Sequence, residues 1–382
     1  MKDSAVQVYL PFKSDQLTRE DYVNFYNGVR LSKVLEDLDA LAGSVAYLHA
    51  DDGNPETEPL LIVTASVDRI DLLQPLSINE DYRLTGYVTH VGTSSMEVSI
   101  MMETTDHIPL DHEVDAIGSF GHYSYLSGPS PATPQDPTSA PSNPRGKPIL
   151  YVSPRLYKRA CTDILKNKRV AKFSMVARDP VTNKASRVNP LLLVTEEERR
   201  IYQFGAQTKT KKSLLSQMSL ENIPPTTEEL ASVHTLWKEY SKYLTGTPMP
   251  DSTVWMSSTF LSNVQLCMPQ DRNIHGKVFG GYLMKLAYEL AYSTALVFSK
   301  SRPLFSCMDD ITFRKPVPIG SLLRLESSVV YSRGGDGIYQ IQVCSHFLLS
   351  ELSRKMTVQG TNSTPLGHCR RPLSYSLYPR YN

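Results

Sequence analysis

The sequence predicts an α+β chain in which one unit, a long helix followed by antiparallel strands, occurs twice. Three observations carry this: an internal repeat, a one-faced helical run ahead of each copy, and β-rich runs after it. "VDRIDLLQPLSINEDYRLTGYV" from Val67 and "MDDITFRKPVPIGSLLRLESSV" from Met308 align without a gap at a spacing of 241 residues. Asp68, Ile70, Pro75, Ile78, Arg83, Leu84 and Val88 recur as Asp309, Ile311, Pro316, Ile319, Arg324, Leu325 and Val329. Self-similarity of this kind marks a structural unit used twice.

Ahead of each copy lies a helix. Leu31, Val34, Leu35, Leu38 and Ala42 follow the i, i+3, i+4 spacing of one apolar face, as do Leu283, Leu286, Ala287, Leu290 and Ala291. "GVRLSKVLEDL" lies against "GGYLMKLAYEL" at a spacing of 252, which matches Gly28, Leu31, Lys33 and Leu38 to Gly280, Leu283, Lys285 and Leu290. After the first helix come "LLIVTASVDRI", "YRLTGYVTHV" and "SMEVSIMME". After the second come "FSCMDDITF", "LLRLESSVVYS" and "YQIQVCSHFLL". These read as strands, with "RGGDG" (Arg333–Gly337) as a hairpin turn. A helix covered by one antiparallel sheet buries both apolar faces.

Between the copies, Ser127–Pro148 is Pro-rich without a hydrophobic period and reads as an insertion or linker. Thr195 with Glu198, and Thr226 with Glu229, have capping-box spacing and open two polar helices of a connector. The expected boundaries are 22–191 for the first unit with its insertion at about 127–148, 192–256 for the connector, 257–361 for the second unit, and 362–382 for a C-terminal tail.

Composition excludes several classes. The 382 residues carry a formal charge of +1, which offers no field for nucleic acid or an acidic membrane. No apolar run reaches the roughly 18 residues of a membrane span. Five scattered cysteines without a Cys-x-x-Cys pair suit reduced thiols and argue against structural zinc. Asp106, His107, Asp111 and His112 have no recognised metal-site spacing. Neither a Gly-x-Ser-x-Gly elbow nor a Walker or dinucleotide fingerprint occurs. "MKDSAVQVYLPF" at the start reads as neither a signal peptide nor an Arg-rich leader.

Chemistry concentrates in "NIHGKVFGGYLMKLAYELAY", Asn273–Tyr292. Gly280 and Gly281 stand where a loop becomes a helix and let backbone approach a ligand. The first helical N–H groups lack intrahelical partners and hold a developing oxyanion well. Asn273 can orient water or a carbonyl, or simply cap the turn, and Gly276 belongs to the same turn. His275 is a candidate base or a packing residue.

"PQDRNIHGKVFGGYLMKLAYEL" resembles the Asn-x-x-Gly-x-x-Phe-Gly-Gly signature of hotdog-fold acyl-coenzyme A thioesterases. "VRLSKVLEDLDAL" and "AKFSMVARDPVTNKASRVNPL" resemble the double-hotdog, mitochondrial, type-nine members. The resemblance implies tandem hotdogs and hydrolysis of acyl-CoA with neither metal nor cofactor. It also implies a homo-oligomer, an address in the mitochondrial matrix (the cytoplasm being the alternative), and binding of Gly280, Gly281, His275 and Gly276 to substrate. An acid on the partner hotdog's helix then acts as general base or nucleophile, facing the loop Asn. The position that usually carries it, seven after the second glycine, is Tyr288. At the spacing of 252, Glu36 falls opposite Tyr288 and Asp37 opposite Glu289, while Asp21 replaces Asn273 and Val29 replaces Gly281. One composite site is expected, with Glu36 or Asp37 as the acid, Asp39 third because "EDLD" leaves the register open, and Glu289 behind them. A solvated helix charge is the plainer alternative for each. Arg272, Lys277, Arg314 and Lys315 are candidates for the phosphates of CoA. The rival functions are a hotdog hydratase and a non-catalytic acyl-CoA binder in which Tyr288 marks lost activity.

Overall fold

The computed structural model describes residues 4–54, 56–68, 70–72, 75–105, 170–219, 222–250, 253–273, 275–335, 338–350, 364–368 and 373–377. The Pro-rich stretch Ser127–Pro148 and the group Asp106, His107, Asp111 and His112 lie outside them. In chain order the elements are β1 (Val6–Leu10), α1 (Gln16–Tyr22), α2 (Leu31–Ala50), β2 (Leu61–Val67), β3 (Ile70–Asp71), β4 (Asp81–Val91), β5 (Ser95–Thr105) and β6 (Val170–Arg178). There follow α3 (Glu196–Gln217), α4 (Thr227–Leu244), β7 (Leu261–Leu266), α5 (Gly280–Ser299), β8 (Leu304–Met308), β9 (Ile311–Thr312), β10 (Leu322–Gly335), β11 (Ile338–Ser350), β12 (Thr364–His368) and β13 (Leu373–Leu377).

Two antiparallel sheets result. The first runs β1-β4-β5-β6-β2-β9 and packs on α2; the second runs β3-β8-β13-β11-β10-β7, with β12 beside β11, and packs on α5. The sheets exchange edges. Strand β9, from the second copy, pairs with β2 through Val67 and Ile311, while β3, from the first copy, pairs with β8 through Ile70 and Met308. The second sheet takes in β12 and β13, beyond the boundary expected at 361. The first sheet likewise starts earlier than expected, with β1 against β4. Strands β10 and β11 pair up to Gly335 and Ile338; Asp336 and Gly337 of the expected hairpin turn lie outside the described residues.

The apolar faces read from the sequence meet in the core. Leu35, Leu41, Ala42 and Val45 of α2 are buried against Leu84, Val88, Val98 and Phe173 of the sheet. Truncating a side chain such as Leu35 to Ala removes about 2–5 kcal/mol. Met284, Ala291 and Ala295 of α5 join the same cluster, so the two long helices share a core. They run antiparallel: Lys285 meets Glu36, and four residues on Glu289 meets Ser32.

The connector helices carry both expected capping boxes, Thr195 with Glu198 and Thr226 with Glu229. Helix α3 lies on the outer face of the first sheet through a polar layer. Tyr202 donates to the Val91 carbonyl at 3.1 Å, Lys212 pairs with Asp68, and a Cβ on Gly205 would meet His90 at 2.6 Å. No residue of α4 is buried.

One carboxylate belongs to this framework. Asp37 accepts a 2.6 Å hydrogen bond from the Tyr22 hydroxyl, and burial pushes its pKa up to about 7. A carboxyl that folding raises from 3.8 adds stability that is complete below the unfolded value and is lost as pH rises through the folded one. Thermal melts of the wild type should therefore weaken between about pH 4 and 7, and Asp37→Asn should flatten that slope. Identical slopes in the two proteins would show that Asp37 does not titrate this way.

Candidate functional site

A cleft of about 540 Å³ opens between the halves. Helix α2 lines it with Asp39, Gly43 and Tyr47, spaced i, i+4, i+8 on one face. Strand β2 adds Leu61 to Ala65, and the end of β6 adds Met175, Val176 and Arg178. The second half supplies Asn273, His275, Lys277 and Gly280 from the turn, and Phe313 to Val317 from the segment after β9.

Asn273 builds that turn. Its Oδ1 accepts from the His275 and Lys277 amides, both at 3.0 Å, and its own amide donates to the Lys277 carbonyl at 2.6 Å. Gly276 sits at φ +68°, where a side chain is strained. Among the described residues the Asn273 Nδ2 donor has no protein partner.

Asp39 is the acid in the cleft. Only 1% of it is exposed. Its Oδ1 accepts from the Thr64 hydroxyl at 2.8 Å, while Oδ2 has no hydrogen-bond partner among the described residues. A Cβ on Gly280 would stand 2.9 Å from Oδ2. Burial raises the Asp39 pKa to about 6; the Thr64 hydrogen bond and the nearby Gly281 amide hold it below what burial alone would give.

Glu36 and Asp37, the first-ranked acids, do not reach the cleft. Glu36 pairs with Lys285 at 3.1 Å and Asp37 is held by Tyr22. Glu289 accepts from Arg30 and Ser32, both at 2.8 Å, and does not line the cleft. The correction is one of register. Helices α2 and α5 both have 20 residues, starting at Leu31 and Gly280, so the structural spacing is 249, not 252. At 249, Asn24 falls on Asn273. Asn24 makes the same turn, accepting from the amides of Tyr26 at 2.9 Å and Gly28 at 3.0 Å, with Asn27 at φ +58° where Gly276 stands. The first copy therefore keeps an Asn turn, contrary to the expectation that Asp21 replaced it. At the same spacing Asp39 falls on Tyr288, the position where the resemblance leads one to expect the acid.

The pseudo-equivalent second cleft is much smaller, at about 90 Å³. Tyr288 stands for Asp39, Tyr292 for Gly43, and Phe305 for Thr64. Tyr288 packs edge-on against Phe305 at 5.5 Å and tilted to Tyr292 at 6.1 Å. Asn24 Nδ2 is also committed, donating to the Val29 carbonyl at 3.0 Å.

Of the expected basic residues, Lys277, Arg314 and Lys315 line the open cleft and Arg272 does not. Thr64, Tyr47 and Arg178 escaped the sequence reading. The identities Asn24/Asn273, Val29/Val278, Leu41/Leu290, Ala42/Ala291 and Ala46/Ala295 were the available signal for the true register.

Paired helices, each backed by an antiparallel sheet, with an acid from one half facing an Asn turn from the other, define a double hotdog of the thioesterase class. The sequence profile of the Thioesterase superfamily matches residues 34–108 and 275–345. The chain belongs to the acyl-coenzyme A thioesterase family. It is 33% identical to acyl-coenzyme A thioesterase 9, mitochondrial, of Bos taurus, over 100% of this chain and 74% of that one. It is 33% identical to the Homo sapiens protein of that name, over 93% and 69%. Acyl-coenzyme A thioesterase 4, mitochondrial, of Humulus lupulus is 30% identical, over 91% and 57%.

Gly281 fixes the helix approach. A Cβ there would meet the Glu36 Cα at 2.9 Å and the Asp39 Cβ at 3.1 Å, both on a packed helix that has little room to shift. Gly281→Ala should lower unfolding stability by about 1–3 kcal/mol, as overpacking does. Chemical denaturation checks this, and an unchanged midpoint would contradict the close approach.

Proposed function

We propose that the chain hydrolyses acyl-CoA to free acid and CoA at one composite site between its halves. The observation that carries this is Asp39, a residue of the cleft wall whose Oδ2 is buried against the N-terminus of α5 without a hydrogen bond of good geometry. A carboxylate raised to about 6 is charged at pH 7 yet basic enough to take a proton from water. Water, held by Asp39 and Asn273 Nδ2, attacks the thioester carbonyl carbon and gives its proton to Asp39. The carbonyl electron pair moves to oxygen, which the Gly280 amide at the positive end of α5 stabilises. Collapse of this intermediate breaks the C–S bond, and Asp39 returns the proton to the departing sulfur. Lys277, Arg314, Lys315 and Arg178 at the lip meet the phosphates of CoA.

Self-assembly and residence in the mitochondrial matrix belong to the same reading. Self-assembly is carried by the resemblance alone, and the mitochondrial address by the resemblance and the relatives' names; light scattering and imaging of the tagged chain decide them.

Release of free CoA from a panel of acyl-CoA esters tests the activity. Asp39→Asn should lower kcat by about 10²–10⁴-fold, the usual span of acid–base catalysis. Glu36→Gln and Glu289→Gln should retain turnover. In the wild type, kcat/KM should fall about tenfold per pH unit below about 6, as Asp39 protonates. Thr64→Val, which removes a hydrogen bond to the charged form, should move that limb upward. Binding of acyl-CoA without thiol release would instead make the protein a carrier.

A further inference from the structure

We infer that Tyr47 and His275 form a cross-half link that positions Asn273 against Asp39. The inference rests on the proposed thioesterase site and adds two residues to it.

The Asn273 amide can only stand where its turn places it, because Oδ1 is held by the His275 and Lys277 N–H groups. That turn belongs to the second half, and the acid belongs to the first. A side-chain hydrogen bond joins the turn to the wall that carries Asp39: the Tyr47 hydroxyl meets His275 Nε2 at 2.5 Å. The hydroxyl is itself pinned on β2, where the Ile62 amide donates to it at 3.1 Å and the Ile62 carbonyl lies 3.3 Å away. Two residues further along β2, Thr64 donates to Asp39. Asp39, Thr64, Ile62, Tyr47, His275 and Asn273 thus form one connected path from the acid to the amide, across the interface between the halves. Tyr47 and His275 both line the cleft, as do Asp39 and Arg178.

The smaller cleft supplies the comparison. There Leu296 stands for Tyr47, Tyr26 for His275, and Pro303 for Ile62. Leucine has no polar atom and proline no amide proton, so this link cannot form. The link is present only where Asp39, Thr64 and the open cleft are also present.

Burial holds the His275 pKa down to about 4 and pushes that of Tyr47 up to about 12, so both are neutral through the working range and bond without a change of charge. A neutral imidazole tied to a buried phenol serves poorly as the base, which leaves it the positioning role.

The test is steady-state thiol release by the full chain, with kcat, KM and the pH profile measured for Tyr47→Phe, His275→Ala, His275→Gln and the double variant Tyr47→Phe/His275→Ala. Misplacing a reacting group by about 1 Å is worth up to about 10²-fold, so Tyr47→Phe and His275→Ala should each lower kcat by about 10–100-fold. KM should stay within about threefold, and the acid limb near 6 should persist because Asp39 is unchanged. The double variant should be no worse than the poorer single, since both break one link. His275→Gln, whose amide can still meet the Tyr47 hydroxyl, should recover most of kcat. Wild-type kcat in Tyr47→Phe, multiplied losses in the double variant, or loss of the acid limb in His275→Ala overturns the positioning role while leaving the thioesterase standing. If His275→Ala fails to fold, Tyr47→Phe, with its melting temperature alongside, decides alone. A wild type that releases no thiol overturns both readings.

Discussion

The approach of α5 to α2 at Gly281 is the constraint on which the site depends. Backbone there comes so near Glu36 and Asp39 that no side chain fits between. Antiparallel helices in such contact place the N-terminus of one against the middle of the other. The Gly280 and Gly281 amides, which the first helical turn leaves without intrahelical partners, then lie beside a buried carboxylate, where the dipole and the N–H groups favour negative charge. A bulkier residue at Gly281 would move Asp39, the amides and the Asn273 turn apart together.

Exchange of the short strands β3 and β9 holds this geometry from both sides. Each sheet takes an edge from the other copy, so the halves cannot slide along their helices without breaking the Val67–Ile311 and Ile70–Met308 pairings. The Phe313 amide, donating to the Ala65 carbonyl at 2.9 Å, continues the exchange to the cleft wall. Thr64, Ala65 and Phe313–Val317 thereby line one cavity although nearly 250 residues separate them.

Duplication left two interfaces of common origin, and their chemistry has diverged. One retains the acid, a hydroxyl to hold it, a glycine that leaves space and a free amide. The other has Tyr288, Tyr292 and Phe305 at the corresponding positions, which turn a polar cleft into an aromatic core, and Asn24 there only stabilises its own turn. Burying aromatic surface strengthens the helix pair there.

The repeat at 241, the two helical faces, the strand runs and the glycine turn were all legible in the amino-acid sequence, because periodicity and turn chemistry are local. The expectation of one composite site came from Tyr288, which stands where the resemblance expects an acid. The sequence by itself left the register of α2 open: spacings of 249 and 252 both give several identities, and Glu36, Asp37 and Asp39 lie within one helical turn. Tertiary structure decided it. The start of each helix, set by the Asn24 and Asn273 turns, and the close contact at Gly281 bring Asp39 to the cleft, turn Glu36 to Lys285 and bury Asp37 against Tyr22. Thr64, Tyr47 and Arg178 enter the same cleft through strand pairing and helix packing, and such long-range contacts leave no mark in local sequence pattern.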